Sequence, residues 1–324
     1  MNRLIALACV LLASVTVPAA TQDYRPPAHT RPQPLIEGRS EADLAALADL
    51  GTSIERDRTA TYELAEHRRL DRALATIGPE RAGTIDAYIL AVALDSDPVF
   101  GREAREAGRV LERRYAATGR SVVLAGSDGS AASKLPMGSP ANIAAVLAHL
   151  GETMGQEDVL VLYTTSHGAP WGIVYDDGDQ GFGAISPTRL RSMLAEVGIA
   201  NRLVMISACY SGVFVPGLAS PTSVVLTASS ADRSSFGCQS DNDWTFFGDA
   251  LINRALRKPQ SIAGAAAEAK ASIGAWERKG KLTASRPQIS IGRATGGWLA
   301  ALEAKLPSAT PTVGRSSVDS LDAD

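Results

Sequence analysis

Between Asp158 and Gly212 the chain carries two short apolar runs, each ending on a residue able to do chemistry. The first, DVLVLYTTSHG, closes on His167 and Gly168; the second, NRLVMISACYSG, closes on Cys209, with Ser211 and Gly212 behind it. Such runs, rich in Val, Leu, Ile and Thr and bounded by polar or Gly residues, predict buried strands of a parallel sheet. Parallel strands bring their carboxyl ends to one edge, so an imidazole and a thiol leaving neighbouring strands face one crevice. A thiol within reach of an imidazole is the minimum equipment for nucleophilic acyl transfer.

The rest of the chain supplies the sheet this pattern needs. Residues 84–94 (TIDAYILAVAL), 121–125 (SVVLA) and 223–228 (SVVLTA) predict further strands, and 288–291 a short edge strand. Residues 100–115, 244–256 and 261–278 predict helices between them. Two more start at Ser139-Pro140 and Ser186-Pro187, where Ser can cap and Pro can occupy the first turn. Residues 169–184 predict a hairpin whose acidic tip, Asp176, Asp177 and Asp179, is a solvated turn, because the spacing and closing Glu of a calcium loop are missing. His67, amid Glu66, Arg68 and Arg69, reads as part of a solvated helix face, and His149 as a structural residue near a helix C-terminus. Strands alternating with helices give an α/β fold, a mostly parallel sheet covered on both faces.

At 324 residues and 45% hydrophobic, the chain can bury a large core. Its net charge of -3 and lack of a long basic run give a nucleic-acid partner no electrostatic support. Residues 1–20 (MNRLIALACVLLASVTVPAA) read as a signal peptide: Arg3, an apolar run of roughly a dozen residues, then small residues at a cut after Ala19 or Ala20. That run is short for a span of about 20 apolar residues, and Cys9 lies too early for a lipoprotein box. The expectation is a secreted or periplasmic protein without stable membrane insertion. Residues 21–39, with four prolines, read as an unstructured leader. Residues 40–83 read as a helical extension, either a packing cap or a propeptide; 84–300 as the main domain; and 301–324 as a polar, disordered tail.

Two cysteines remain after the signal peptide, Cys209 and Cys238. In an oxidising compartment they could form a disulfide, which would leave a non-catalytic exported domain. The other reading makes Cys209 a nucleophile and His167 its base, with the amides of Gly168 and Cys209 as an oxyanion hole. There is no G-x-S-x-G elbow, no phosphate loop, and no H-E-x-x-H or C-x-x-C set, so neither metal nor cofactor is expected.

The strand endings Ser166-His167-Gly168 and Ser207-Ala208-Cys209-Tyr210-Ser211-Gly212 resemble those of the caspase-like cysteine peptidases. Within that group the chain is most similar to the legumain family, asparaginyl endopeptidases that include the GPI-anchor transamidase subunit. The run Ser234-Ser235-Phe236-Gly237-Cys238 and the pair Asp243-Trp244 also resemble legumain segments, and the likeness spans roughly 84–256. It implies a three-layer α-β-α fold, a protein or peptide substrate, a His167–Cys209 dyad and an oxyanion contact from Gly168. It also implies that Arg102 and Ser234 help line the pocket for the residue before the cut. Legumains usually carry Glu two residues before the cysteine; Ser207 stands there and alters the pocket charge. Phe100 falls near the family's histidine-assisting Asn. A transpeptidase using the same thioester is the neighbouring alternative.

Overall fold

The computed structural model describes residues 28–31, 36–126 and 133–322. The expected signal peptide lies outside them. From the N-terminus the elements are α1 (Glu41–Asp49), β1 (Ser53–Glu55), α2 (Ala60–Leu74), β2 (Ala87–Ala93), α3 (Pro98–Arg114), β3 (Ser121–Leu124) and α4 (Pro140–Thr153). Next come β4 (Val159–Thr165), β5 (Gly168–Ala169), β6 (Gly172–Asp176), β7 (Gly181–Ile185), α5 (Pro187–Glu196), β8 (Arg202–Ser207), α6 (Phe214–Leu218) and β9 (Ser223–Thr227). A π-helix (Gly248–Ala255), α7 (Ile262–Lys279), β10 (Gln288–Ile291) and α8 (Gly296–Glu303) follow.

The main sheet runs β10-β9-β8-β4-β2-β3, parallel except for β10 at its edge. Every residue of β2 and β4 is buried, as their unbroken apolar runs require of strands covered on both faces. Side chains alternate between two cores. Ile89, Val161, Tyr163, Leu203 and Met205 meet α3, the π-helix and α7 on one face. Leu90, Leu160, Leu162, Val204 and Ile206 meet α4, α5 and α6 on the other. Each fully buried Leu or Ile contributes about 1.5–3 kcal/mol, so these central strands dominate the energetics. This is a mixed α/β, three-layer arrangement with a mostly parallel six-stranded sheet, consistent with a caspase-like fold. Among the described residues no helix is long and apolar enough to cross a membrane.

Four features depart from the sequence expectation. The predicted hairpin forms as β6–β7 inside a second, four-stranded sheet, β1-β7-β6-β5, but its acidic tip is not solvated. Asp177 is 2% exposed and paired with Arg58 at 2.7 Å, and Asp179 is also buried. The N-terminal chain supplies the partners, which no local reading of the tip could find. Residues 40–83 form a strand as well as helices, with β1 paired to β7. The extension packs on the body: α2 buries Glu66, Arg69 and Leu70, and Glu66 Oε1 accepts hydrogen bonds from Met137 N and Asn142 Nδ2. The segment expected as a disordered tail is instead bound. Val313 exchanges hydrogen bonds with Asn253 and accepts one from Trp244, and Ser316 and Ser317 donate to the fully buried Asp249. Its polar residues are satisfied by buried partners rather than by water. Finally, part of the helix expected over 244–256 is a π-helix, where Gly248 lies against Glu103; a Cβ there would come within 2.1 Å of Oε2.

Candidate active site

β4 and β8 are neighbouring parallel strands with Thr165 opposite Ser207, and Ser166 N continues the ladder to Ser207 O at 3.1 Å. His167 and Cys209 therefore lie equally far, two residues, beyond one register pair. Gly168 packs so closely on the nucleophile turn that a Cβ would come within 2.1 Å of the Cys209 carbonyl oxygen. That approach requires glycine. Immediately after the cysteine, Tyr210 has φ 55° and ψ 12°, in the left-handed region that a non-glycine residue seldom adopts. Its amide is fixed to Arg233 O at 2.8 Å, and the kink turns the strand into the short helical stretch leading to α6. Cys209 thus stands on a tight strand-to-helix turn. Ser229 braces the turn from below, donating its hydroxyl to Ala208 O and accepting from Ser211 N.

The half-buried Cys209 thiol faces residue 235. Ser235 N donates to Sγ at 3.2 Å, and the Ser235 carbonyl and hydroxyl oxygens lie 3.5 and 3.6 Å from it. The His167 ring meets the edge of Phe100, with centroids 5.1 Å apart and planes at 79°. Among the described residues no hydrogen bond joins the imidazole to the thiol. Burial holds the imidazole's pKa below the usual histidine value, while the carboxylates of Asp97 and Asp176 oppose that shift. A half-buried imidazole kept neutral near pH 7 can accept a proton.

Cys238 is chemically different. Burial, with a smaller contribution from Cys209, pushes its thiol up to about 11. It packs against the small core of Ala93, Val99, Phe100 and Ala104. Both cysteines are free thiols, so the structure does not adopt the Cys209–Cys238 disulfide.

The expected pocket residues separate. Ser234 is exposed beside Ser235, on the loop that faces the thiol. Arg102 donates Nη2 to the carbonyls of Ser240 and Asn242 and lies 3.5 Å from Asp243, bracing the loop that follows Cys238. Ser207 is 2% exposed and points into the core, its hydroxyl 3.0 Å from that of Thr245. Beneath it Glu103, fully buried, accepts from Tyr163 Oη at 2.6 Å and Thr245 N at 2.7 Å. The carboxylate near this position thus comes from α3 and is spent inside the core. Sequence reasoning missed Ser235, Asp97 and Asp176. Ser235 lay within a recognised run but acts through its backbone, which its residue type does not advertise. His29, Asp95 and Asp97 place possible metal-ligating atoms within 4.8 Å of one another, and His29 is instead hydrogen-bonded to Ser96 Oγ at 3.1 Å.

Residues 146–282 match the model of the Peptidase C13 family. No curated protein matches the chain. The matched span contains the turn carrying Cys209, the strand end carrying His167, and Cys238. Over this span the match supports a cysteine-type peptidase of the legumain family, a hydrolase.

Proposed function

We propose that the protein is an exported endopeptidase in which His167 and Cys209 form the catalytic dyad. The observation that carries this reading is the juxtaposition of the two residues at the ends of adjacent parallel strands, with an imidazole held toward its neutral form and a sulfur that accepts the Ser235 amide. His167 takes the Cys209 proton, and the thiolate adds to the scissile carbonyl carbon. The amides of Gly168 and Cys209 receive the oxyanion, a role worth about 3–4 kcal/mol per donor in comparable sites. Collapse of the tetrahedral adduct breaks the C–N bond, and the imidazolium gives its proton to the departing amine. Water, deprotonated by His167, then attacks the thioester and releases the acid and the free thiol. Ser234 and Arg102 flank the substrate groove, Ser234 by direct exposure and Arg102 by holding the loop after Cys238. Export rests on the residues 1–20 pattern.

The test is a peptide-library digest with wild type and Cys209→Ala. The variant should lose cleavage and labelling by a thiol-directed peptide probe; undiminished cleavage would remove the dyad. Adding an amine nucleophile to the digest separates hydrolysis from transpeptidation by its products.

A further inference from the structure

Residues 28–31, Ala-His-Thr-Arg, reach the catalytic edge of the sheet from a part of the chain that the proposed mechanism does not use. They lie on the acidic tip of the β6–β7 hairpin as a peptide lies in a binding site. Asp179 N donates to the Ala28 carbonyl at 2.6 Å. In the other direction, Thr30 N and Arg31 N both donate to Asp179 Oδ1 at 2.7 Å, and the Thr30 hydroxyl donates to Oδ2 at 2.5 Å. One residue thus reads the backbone on both sides of His29. Backbone contacts of this kind hold a segment whatever its side chains.

Side chains add charge selection. His29 Nε2 lies 3.1 Å from Ser96 Oγ, and its ring nitrogen is within 4.8 Å of carboxylate oxygens of Asp95 and Asp97. Arg31 pairs with Asp57 and comes within 3.9 Å of Asp179. Basic side chains at positions 29 and 31 thus each meet acidic ones. The turn that receives His29 is tied directly to the dyad strand. Leu94 N donates to Thr165 O, two residues before His167, while Asp176 N and Ser96 N lace the same turn to the hairpin. His29 is close enough to oppose protonation of His167. Although bonded in this way, residues 28–31 are all exposed, unlike α2, so they can lift off without opening a core.

We propose that Asp179 and the Asp95–Asp97 turn form a peptide-binding subsite beside the dyad, selective for segments with basic side chains, and that residues 28–31 occupy it as an internal competitor of substrate. The competition rests on the peptidase reading, whereas the subsite itself does not. It gives the enzyme a substrate class, peptides basic on the side of the cut that faces the hairpin, and makes the leader a brake.

The test uses the full chain with His29, Thr30 and Arg31 all replaced by Ala. In a Cys209→Ala background, a fluorescent peptide of residues 24–35 should bind this strap variant saturably. It should bind the chain with an intact strap at least tenfold more weakly. Binding should also fall at least tenfold in the strap variant with Asp179→Ala or with Asp97→Asn, and for a peptide with Glu at positions 29 and 31. Absence of binding, or binding indifferent to both substitutions and to the peptide's charge, overturns the subsite. With Cys209 restored, the strap variant should show a severalfold lower KM at similar kcat, and the free peptide should inhibit it competitively. An unchanged KM overturns the competition. Complete inactivity of both active-site-intact chains would count against the peptidase reading instead, leaving the binding measurements to decide the subsite.

Discussion

Cys209 and Cys238 differ in what surrounds the sulfur. Cys209 receives an amide from Ser235, while Cys238 sits among apolar side chains with its thiol pushed up to about 11. At pH 7–8 iodoacetamide should therefore alkylate Cys209 well before Cys238, read by peptide mass spectrometry, and Cys238→Ala should keep activity within about threefold of wild type. Comparable alkylation of both would remove the distinction. For His167, burial lowers the pKa below 6.5 and Asp97 partly restores it. The base works as the neutral ring, so the acid limb of kcat/KM should have its midpoint below 6.5, and Asp97→Asn should move it further to acid. The same shift has a stability sign. As pH falls below the unfolded value, the unfolded chain binds the proton first, so His167 subtracts stability until the pH passes its lowered folded value. An acid limb that rises on Asp97→Asn would contradict the assignment of its cause.

Among the elements, the π-helix and the C-terminal segment around residues 313–317 depend on each other. Asp249 is fully buried at the start of the π-helix and collects Arg254, Ser316 and Ser317, while Asn253 one turn on holds Val313. Asp249→Ala leaves these donors without their acceptor and should cost about 2–3 kcal/mol, discounting Arg254 because its side chain is 35% exposed. Urea unfolding measures this, and a change under about 0.5 kcal/mol would show that the segment is not anchored there. The π-helix was not legible beforehand. Its apolar spacing serves an α-helix equally well, and the wider turn shows in the folded chain, as in the i to i−5 bond from Leu256 N to Leu251 O. The tail was misread for a related reason: polarity predicts solvent only when no buried partner waits elsewhere in the chain.

For the molecule as a whole, the N-terminal extension ties the second sheet to the main body. Arg58 and Asp177 form an ion pair with side chains only 4% and 2% exposed, and Arg58 also donates to Tyr175 Oη at 2.8 Å. Arg58→Ala removes the guanidinium from a buried carboxylate and should destabilise the protein by about 3–5 kcal/mol. It should also loosen the β6–β7 hairpin, visible as faster amide exchange over residues 172–185. Unaltered exchange there would mean that β1 alone holds the hairpin.

What the sequence determined by itself is the parallel sheet and the two residues that stand just beyond its adjacent strands β4 and β8. Unbroken apolar runs can only be buried on both faces, and the residue types at their ends, thiol and imidazole, carry their chemistry wherever they are placed. The register of β4 against β8 then follows closely enough that His167 and Cys209 were legible together. Tertiary structure alone decided which groups tune them. Ser235 acts through a backbone amide, Phe100 through a ring contact, and Asp97 and Asp176 through their charges. It also turned Ser207 inward to Thr245, away from the surface that its place beside the nucleophile suggested. Local pattern records burial and residue chemistry, whereas the direction of a side chain and the identity of a distant neighbour exist only once the chain has closed on itself.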